Sequence, residues 1–156
     1  MNKPFKIKSE KLDTAIIGTK KRDRITGTFK NEILTGFKGK DVLKGGSGAD
    51  GFLFDKPIGF GKKQADKIQD FDAWEWDKIL VNKDAFGLGK NINFKSTKSA
   101  NKLNKLEKSK FNFVYESKTG FLYFNENGKQ SGWGDGGLFA KLQGKPELFA
   151  DDFRIV

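Results

Sequence analysis

Residues 18–53 read GTKKRDRIT, GTFKNEILT, GFKGKDVLK and GGSGADGFL, four consecutive nonapeptides opening on Gly18, Gly27, Gly36 and Gly45. The sixth place is acidic in all four: Asp23, Glu32, Asp41 and Asp50. The eighth is apolar in all four: Ile25, Leu34, Leu43 and Phe52. Self-similarity at a short fixed period is the signature of stacked turns of chain, each burying its apolar residue against the next.

The pattern resembles the glycine-rich nonapeptide GGxGxDxUx of the RTX (repeats-in-toxin) proteins, a calcium-binding parallel β-helical repeat. The resemblance implies an all-β fold with a parallel β-roll of two turns, two nonapeptides to the turn. Repeats 1 and 3 would then stack on one side and repeats 2 and 4 on the other. The first six residues of each unit would form a sharp turn, for which glycine supplies the left-handed backbone. The sixth-place carboxylate would add a charged oxygen to a calcium site between stacked turns, near Asp23 and Asp41 or near Glu32 and Asp50. The last three residues would form a strand whose eighth side chain fills the core.

This copy departs from the family pattern. The fourth-place glycine is present as Gly39 and Gly48, but Lys21 and Lys30 stand there in repeats 1 and 2. The second place is glycine only at Gly46. Basic residues outnumber the four acids in 18–53: Lys20, Lys21, Arg22, Arg24, Lys30, Lys38, Lys40 and Lys44. Calcium affinity depends on ligand charge. The preferred metal residues are therefore Asp41 and Asp50, with Gly39 and Gly48 holding the turns. Glu32 follows, and Asp23 is the weakest. The alternative is a roll that needs no calcium, with Lys21 or Lys30 pairing to the stacked acids.

Residues 65–81 suggest two short strands around a turn. They resemble the segment that follows the roll in serralysin-type and cyanobacterial RTX proteins: Asp66, Ile68, Asp70, Phe71, then Asp77, Lys78, Ile79. The resemblance gives Asp66 a calcium role on the last turn, with Asp70 behind it. Residues 111–125 read as a β-hairpin, with Phe111, Phe113 and Tyr115 alternating with Asn112, Val114 and Glu116 and a loop ending at Gly120. The lysine-rich stretch 98–110 would allow a short exposed helix or a loop. Three segments result: a lead-in strand over 1–17, the roll over 18–53, and a β-rich cap over 54–156. The cap's end, Asp152-Phe153-Arg154-Ile155-Val156, is similar to the family's type I secretion signals.

The chain has 156 residues, 16 of them Phe, and carries a formal net charge of +10. Without cysteine or histidine it can form no disulfide, no Cys/His zinc site and no histidine-dependent triad. Nearly all the positive charge is lysine. Such a charge attracts polyanions, but base-specific nucleic-acid contacts favour arginine, so specific nucleic-acid recognition is not expected. No apolar run is long enough to span a membrane. The first residues lack the apolar stretch of a signal peptide, which points to export by a route reading another part of the chain. Only 17 residues precede the repeats, where RTX proteins carry their catalytic parts, so no enzyme is expected.

The leading expectation is a secreted, extracellular calcium-binding module, structural rather than catalytic, with calcium as cofactor and a type I secretion transporter as partner. The alternative is a basic, calcium-independent adhesion module for acidic glycan or an anionic cell surface. A remote third is a glycoside-type hydrolase using Asp70 with Glu75 or Asp77.

Overall fold

The computed structural model describes residues 14–55 and 59–156. Most of the lead-in expected over 1–17 therefore lies outside the described residues. Short strands dominate: β1 (Thr14–Ile17), β2 (Arg24–Thr26), β3 (Glu32–Thr35), β4 (Val42–Lys44), β5 (Gly51–Phe54), β6 (Asp66–Ile68), β7 (Lys78–Val81), β8 (Phe94–Thr97), β9 (Phe113–Glu116), β10 (Phe121–Phe124), β11 (Gly137–Leu142) and β12 (Phe153–Ile155). One helix, α1 (Ala100–Leu106), lies between β8 and β9.

The strands form two mostly parallel sheets. One has the order β1-β3-β5-β7-β12, the other β2-β4-β6-β11-β10-β9-β8. From β1 to β7 the chain crosses to the other sheet after every strand. In-sheet neighbours across the repeats are offset by two nonapeptides: Ile25 lies opposite Leu43, and Leu34 opposite Phe52. The next two strands continue the pattern, with Leu43 opposite Ile68 on β6 and Phe52 opposite Ile79 on β7. Residues 66–81 thus extend both sheets rather than pairing with each other. Antiparallel pairing enters at β9-β10 and β10-β11.

Side chains alternate faces along a strand, so one residue in two from each sheet reaches the shared interior. Ile25, Leu43, Ile68 and Leu142 come from one sheet and Leu34, Phe52, Ile79 and Phe153 from the other, all buried. Each such burial stabilises by about 1.5–3 kcal/mol. Beyond β7 the filling is aromatic. Phe86 meets Phe124 edge-on at 4.9 Å and Phe54 meets Phe139 likewise at 4.9 Å, while Phe113 stacks on Phe153 at 5.2 Å. These rings cover the end of the parallel stack with the hairpin and β12, and account for much of the phenylalanine.

The helix departs from the all-β expectation. Ser99 caps it by accepting a hydrogen bond from Lys102 N at 3.4 Å, and Leu103 and Leu106 are its half-buried residues. The polar stretch flanking them has no period-two alternation with which to make a strand. The C-terminal strand β12 is fastened by a buried ion pair: Lys78 Nζ lies 3.6 Å from Asp152 Oδ1, whose other oxygen accepts Phe149 N at 2.8 Å. Among the described residues no helix is long and apolar enough to cross a membrane.

Candidate metal centre

The sixth-place acid stands two residues before the eighth-place apolar residue, so both lie on the inward side of the strand. Each carboxylate is thereby carried beneath the main chain of the neighbouring turn. Two ladders result. In the first, Asp23 N donates to Asp41 Oδ1 at 2.7 Å and Asp41 N donates to Asp66 Oδ1 at 2.8 Å. In the second, Glu32 N donates to Asp50 Oδ1 and Asp50 N donates to Asp77 Oδ1, both at 2.9 Å. The structure therefore brings Asp23, Asp41 and Asp66 to one edge and Glu32 and Asp50 to the other. It adds Asp77, which the sequence reading gave no metal role. Its signal was present, since Asp77-Lys78-Ile79 repeats the acid–x–apolar pattern.

The four repeats differ in what satisfies the second carboxylate oxygen. In repeat 1, Thr19 donates to Asp23 Oδ2 from its amide at 2.6 Å and its hydroxyl at 3.0 Å. In repeat 2, Thr28 does the same for Glu32, amide to Oε2 at 2.7 Å and hydroxyl to Oε1 at 2.6 Å. The corresponding residues in repeats 3 and 4 are Phe37 and Gly46, which have no hydroxyl. The Gly46 amide is engaged elsewhere, donating to Asp70 Oδ2 at 3.0 Å. Asp41 Oδ2 and Asp50 Oδ2 are left buried with no hydrogen-bond partner, on residues only 1% and 2% exposed. Leaving a buried charged group so costs more than the roughly 1–3 kcal/mol of a neutral one.

Burial raises the pKa of these acids, and the stacked like charges add to it. Asp41 is shifted upward, Asp50 to about 6, and Asp66 and Asp77 to about 7. Donated amide hydrogen bonds oppose the rise without cancelling it.

Gly39 and Gly48 adopt φ of +123° and +107°. A Cβ there would come within 2.6 Å of Lys21 O and 2.7 Å of Lys30 O in the turn before. Glycine is thus required where one turn lies on another. Lys21 and Lys30 have no positive φ, so the first pair of turns uses a different backbone, one that tolerates a side chain. Both lysines are exposed, and neither makes an ion pair with a stacked acid. The pairing envisaged for a calcium-free roll does not form; threonine does that work instead.

Asp70 accepts Gly45 N at 2.8 Å as well as Gly46 N. Asp72 accepts Trp74 N at 2.8 Å, capping a single 3-10 turn, and Asp77 Oδ2 accepts Asp72 N at 2.9 Å. Asp70 and Asp77 thus each spend both oxygens on backbone amides.

Among the described residues no group of three or more acids converges as a ready metal cluster. A cation at Asp41 or Asp50 would draw its protein charge from that single carboxylate. A hard ion that takes oxygen ligands, such as calcium, is the cation to which an orphaned carboxylate oxygen is suited. The acids of repeats 1 and 2 are satisfied by threonine, whereas Asp41 and Asp50 in repeats 3 and 4 each keep one unpartnered oxygen. No protein-family model and no curated protein matches this chain.

Proposed function

We propose that the chain is a secreted, calcium-binding β-roll module of RTX type, structural or binding in role rather than catalytic. The observation that carries this reading is the pair of buried, unpartnered oxygens, Asp41 Oδ2 and Asp50 Oδ2. They occur in the two repeats that keep the family's turn glycines. The two-nonapeptide register and the crossing between sheets also support it. A bound calcium ion would supply the positive charge that these carboxylates lack. Gly36 and Gly45, which lie against them with no room for a Cβ, leave main chain as the nearest neighbour.

Because the ion binds the folded arrangement, its binding energy becomes folding energy. The roll would be weak where calcium is scarce and firm where it is abundant. Calorimetric titration of the intact protein with calcium should show binding that weakens at least tenfold in Asp50→Ala, the loss expected when about 1.4 kcal/mol of ligand contribution is removed. Thr28→Val removes the hydroxyl that satisfies buried Glu32, so it should raise the protein's dependence on calcium and not weaken calcium binding as Asp50→Ala does. Absence of heat in the parent protein, with no change in melting temperature, would sink the calcium reading.

Export by a type I transporter is the second part of the proposal, resting on the run Asp152-Phe153-Arg154-Ile155-Val156. Asp152 and Phe153 are buried in the folded chain, so a transporter would have to read them before folding. Deleting residues 147–156 should retain the protein inside a host that carries such a transporter. Loss of folding alone would not retain it, since the transporter handles the unfolded chain. Secretion of the truncated protein at parental level without lysis would refute this part.

A further inference from the structure

Positive charge gathers at one edge of the stack and on the outer face of the seven-stranded sheet. Residues 20–22 (Lys-Lys-Arg) lie under residues 38–40 of the next odd-numbered turn, where Lys38 N donates to Thr19 O at 3.2 Å. Lys40 Nζ donates in turn to Lys62 O at 2.7 Å. On the adjoining sheet face, Arg24, Val42, Lys67, Lys141 and Phe121 stand in register on five neighbouring strands, β2, β4, β6, β11 and β10. The next residue along each strand, from Ile25 to Leu122, is buried, so the row lies on the outer face; Val42, between Arg24 and Lys67, is itself covered.

The row ends on aromatic rings. Lys141 Nζ and Lys62 Nζ lie 5.5 Å and 6.0 Å from the centroid of Phe121. Phe121 meets Tyr123 edge-on at 6.4 Å, and Tyr123 stacks on Trp133 at 5.0 Å. Among the described residues the acids of this edge are turned to hydrogen bonds within the fold and form no ion pair with these cations. Asp23, Asp41 and Asp66 accept main-chain amides, and Glu116, next in the register, is buried and accepts Thr119 Oγ1 at 2.7 Å. Among the described residues none of these cations forms an ion pair.

We propose that this surface docks a linear acidic polysaccharide, its anionic groups meeting Arg24 and the neighbouring pair Lys67 and Lys141 while sugar rings lie on Phe121 and Tyr123. Neighbouring strands are about 4.8 Å apart, an interval of the order of one sugar in an extended chain. The face is flat and offers no helix or ribbon to enter a nucleic-acid groove. Its cations are mostly lysines, compact point charges rather than bidentate readers of phosphate. The rings give flat apolar faces to which the C–H face of a sugar can stack. The site is separate from the carboxylate ladders and does not depend on what fills them.

The test uses the full chain in calcium-containing buffer, titrated calorimetrically with a short oligouronate that does not gel and with a heparin-derived oligosaccharide of equal length. Binding should be present at about 0.15 M salt and decline as salt shortens the screening length. Lys67→Glu with Lys141→Glu should weaken it at least tenfold, about 0.7 kcal/mol per lysine, and Phe121→Ala several-fold. Lys102→Glu with Lys105→Glu, an equal charge change on α1, should leave it within about twofold, and melting curves of all variants should match the parent. Equal loss in the α1 pair would reduce the effect to net charge and overturn the site. Tighter binding of duplex DNA of equal charge, indifferent to Phe121→Ala, would assign the surface to nucleic acid instead. No binding of either oligosaccharide would end the proposal.

Discussion

Removing divalent cations at about pH 7.5 should lower the melting temperature by on the order of 10–20 °C, and acidification should restore much of it. Saturating one site at a hundredfold excess over its dissociation constant contributes about 2.7 kcal/mol. For a chain of this length each kcal/mol moves the melting temperature by about 2–4 °C, and two sites, at Asp41 and Asp50, are invoked. The pH dependence follows from the carboxylates. Their folded-state pKa values are raised, Asp50 to about 6 and Asp66 and Asp77 to about 7, from an ordinary 3.8. A raised acid is protonated in the folded protein while already ionised in the unfolded one. Its stabilising contribution is therefore complete below about pH 4 and is lost as pH rises through about 7. Metal-free protein should melt highest in mild acid and lowest near neutrality. Calcium competes with those protons and should flatten or invert the trend. Differential scanning calorimetry from about pH 4.5 to 8, with chelator or with millimolar calcium, reads both effects. Superimposable curves with and without calcium would remove the ion from the account. A metal-free melting temperature that climbs with pH would contradict the buried, unpartnered carboxylates themselves.

Leu43→Asp should abolish folding. Leu43 is 1% exposed and lies in register between Ile25 and Ile68. Losing the leucine alone costs about 2–5 kcal/mol. The aspartate adds an unpaired charge in an apolar interior, which costs several kcal/mol more. Together they consume most or all of the roughly 5–15 kcal/mol by which a domain of this kind is stable. Ile17→Asp, on the edge strand β1 and 66% exposed, should be tolerated within about 0.5 kcal/mol. Circular dichroism and dispersion of amide resonances distinguish the two. A folded Leu43→Asp protein would mean that the eighth-place residues do not form the shared interior.

The period of nine was legible because it is unbroken from Gly18 to Phe52, and the place-eight residues do meet in the interior. What followed was harder to read, because the spacing then changes. Asp50 is followed by Asp66 and Asp77 at irregular intervals, so the extension of both ladders does not show as periodicity. Asp77 is matched to the family segment without a metal role, although Lys78 and Ile79 after it copy the repeat. The second place was compared only with glycine. The hydroxyls of Thr19 and Thr28, which settle whether an acid needs a counter-charge, went unread. Strand β12 joins β7 across more than seventy residues, and no local pattern announces a pairing so remote. Its clue was the charge of Lys78, a lysine amid apolar neighbours, whose partner Asp152 only the fold could supply.

The turns whose acid is satisfied by threonine and those that lack the hydroxyl amount to two kinds of brick. A longer roll made by duplicating residues 18–35 would add layers indifferent to the calcium content of their surroundings. On the proposed reading, one made by duplicating residues 36–53 would add two further orphaned carboxylates per copy, the counterparts of Asp41 and Asp50, each in need of an ion. The ratio of the two would set the calcium concentration at which such an array changes from loose chain to solid, and exchanging a single threonine for glycine would move that threshold by one layer.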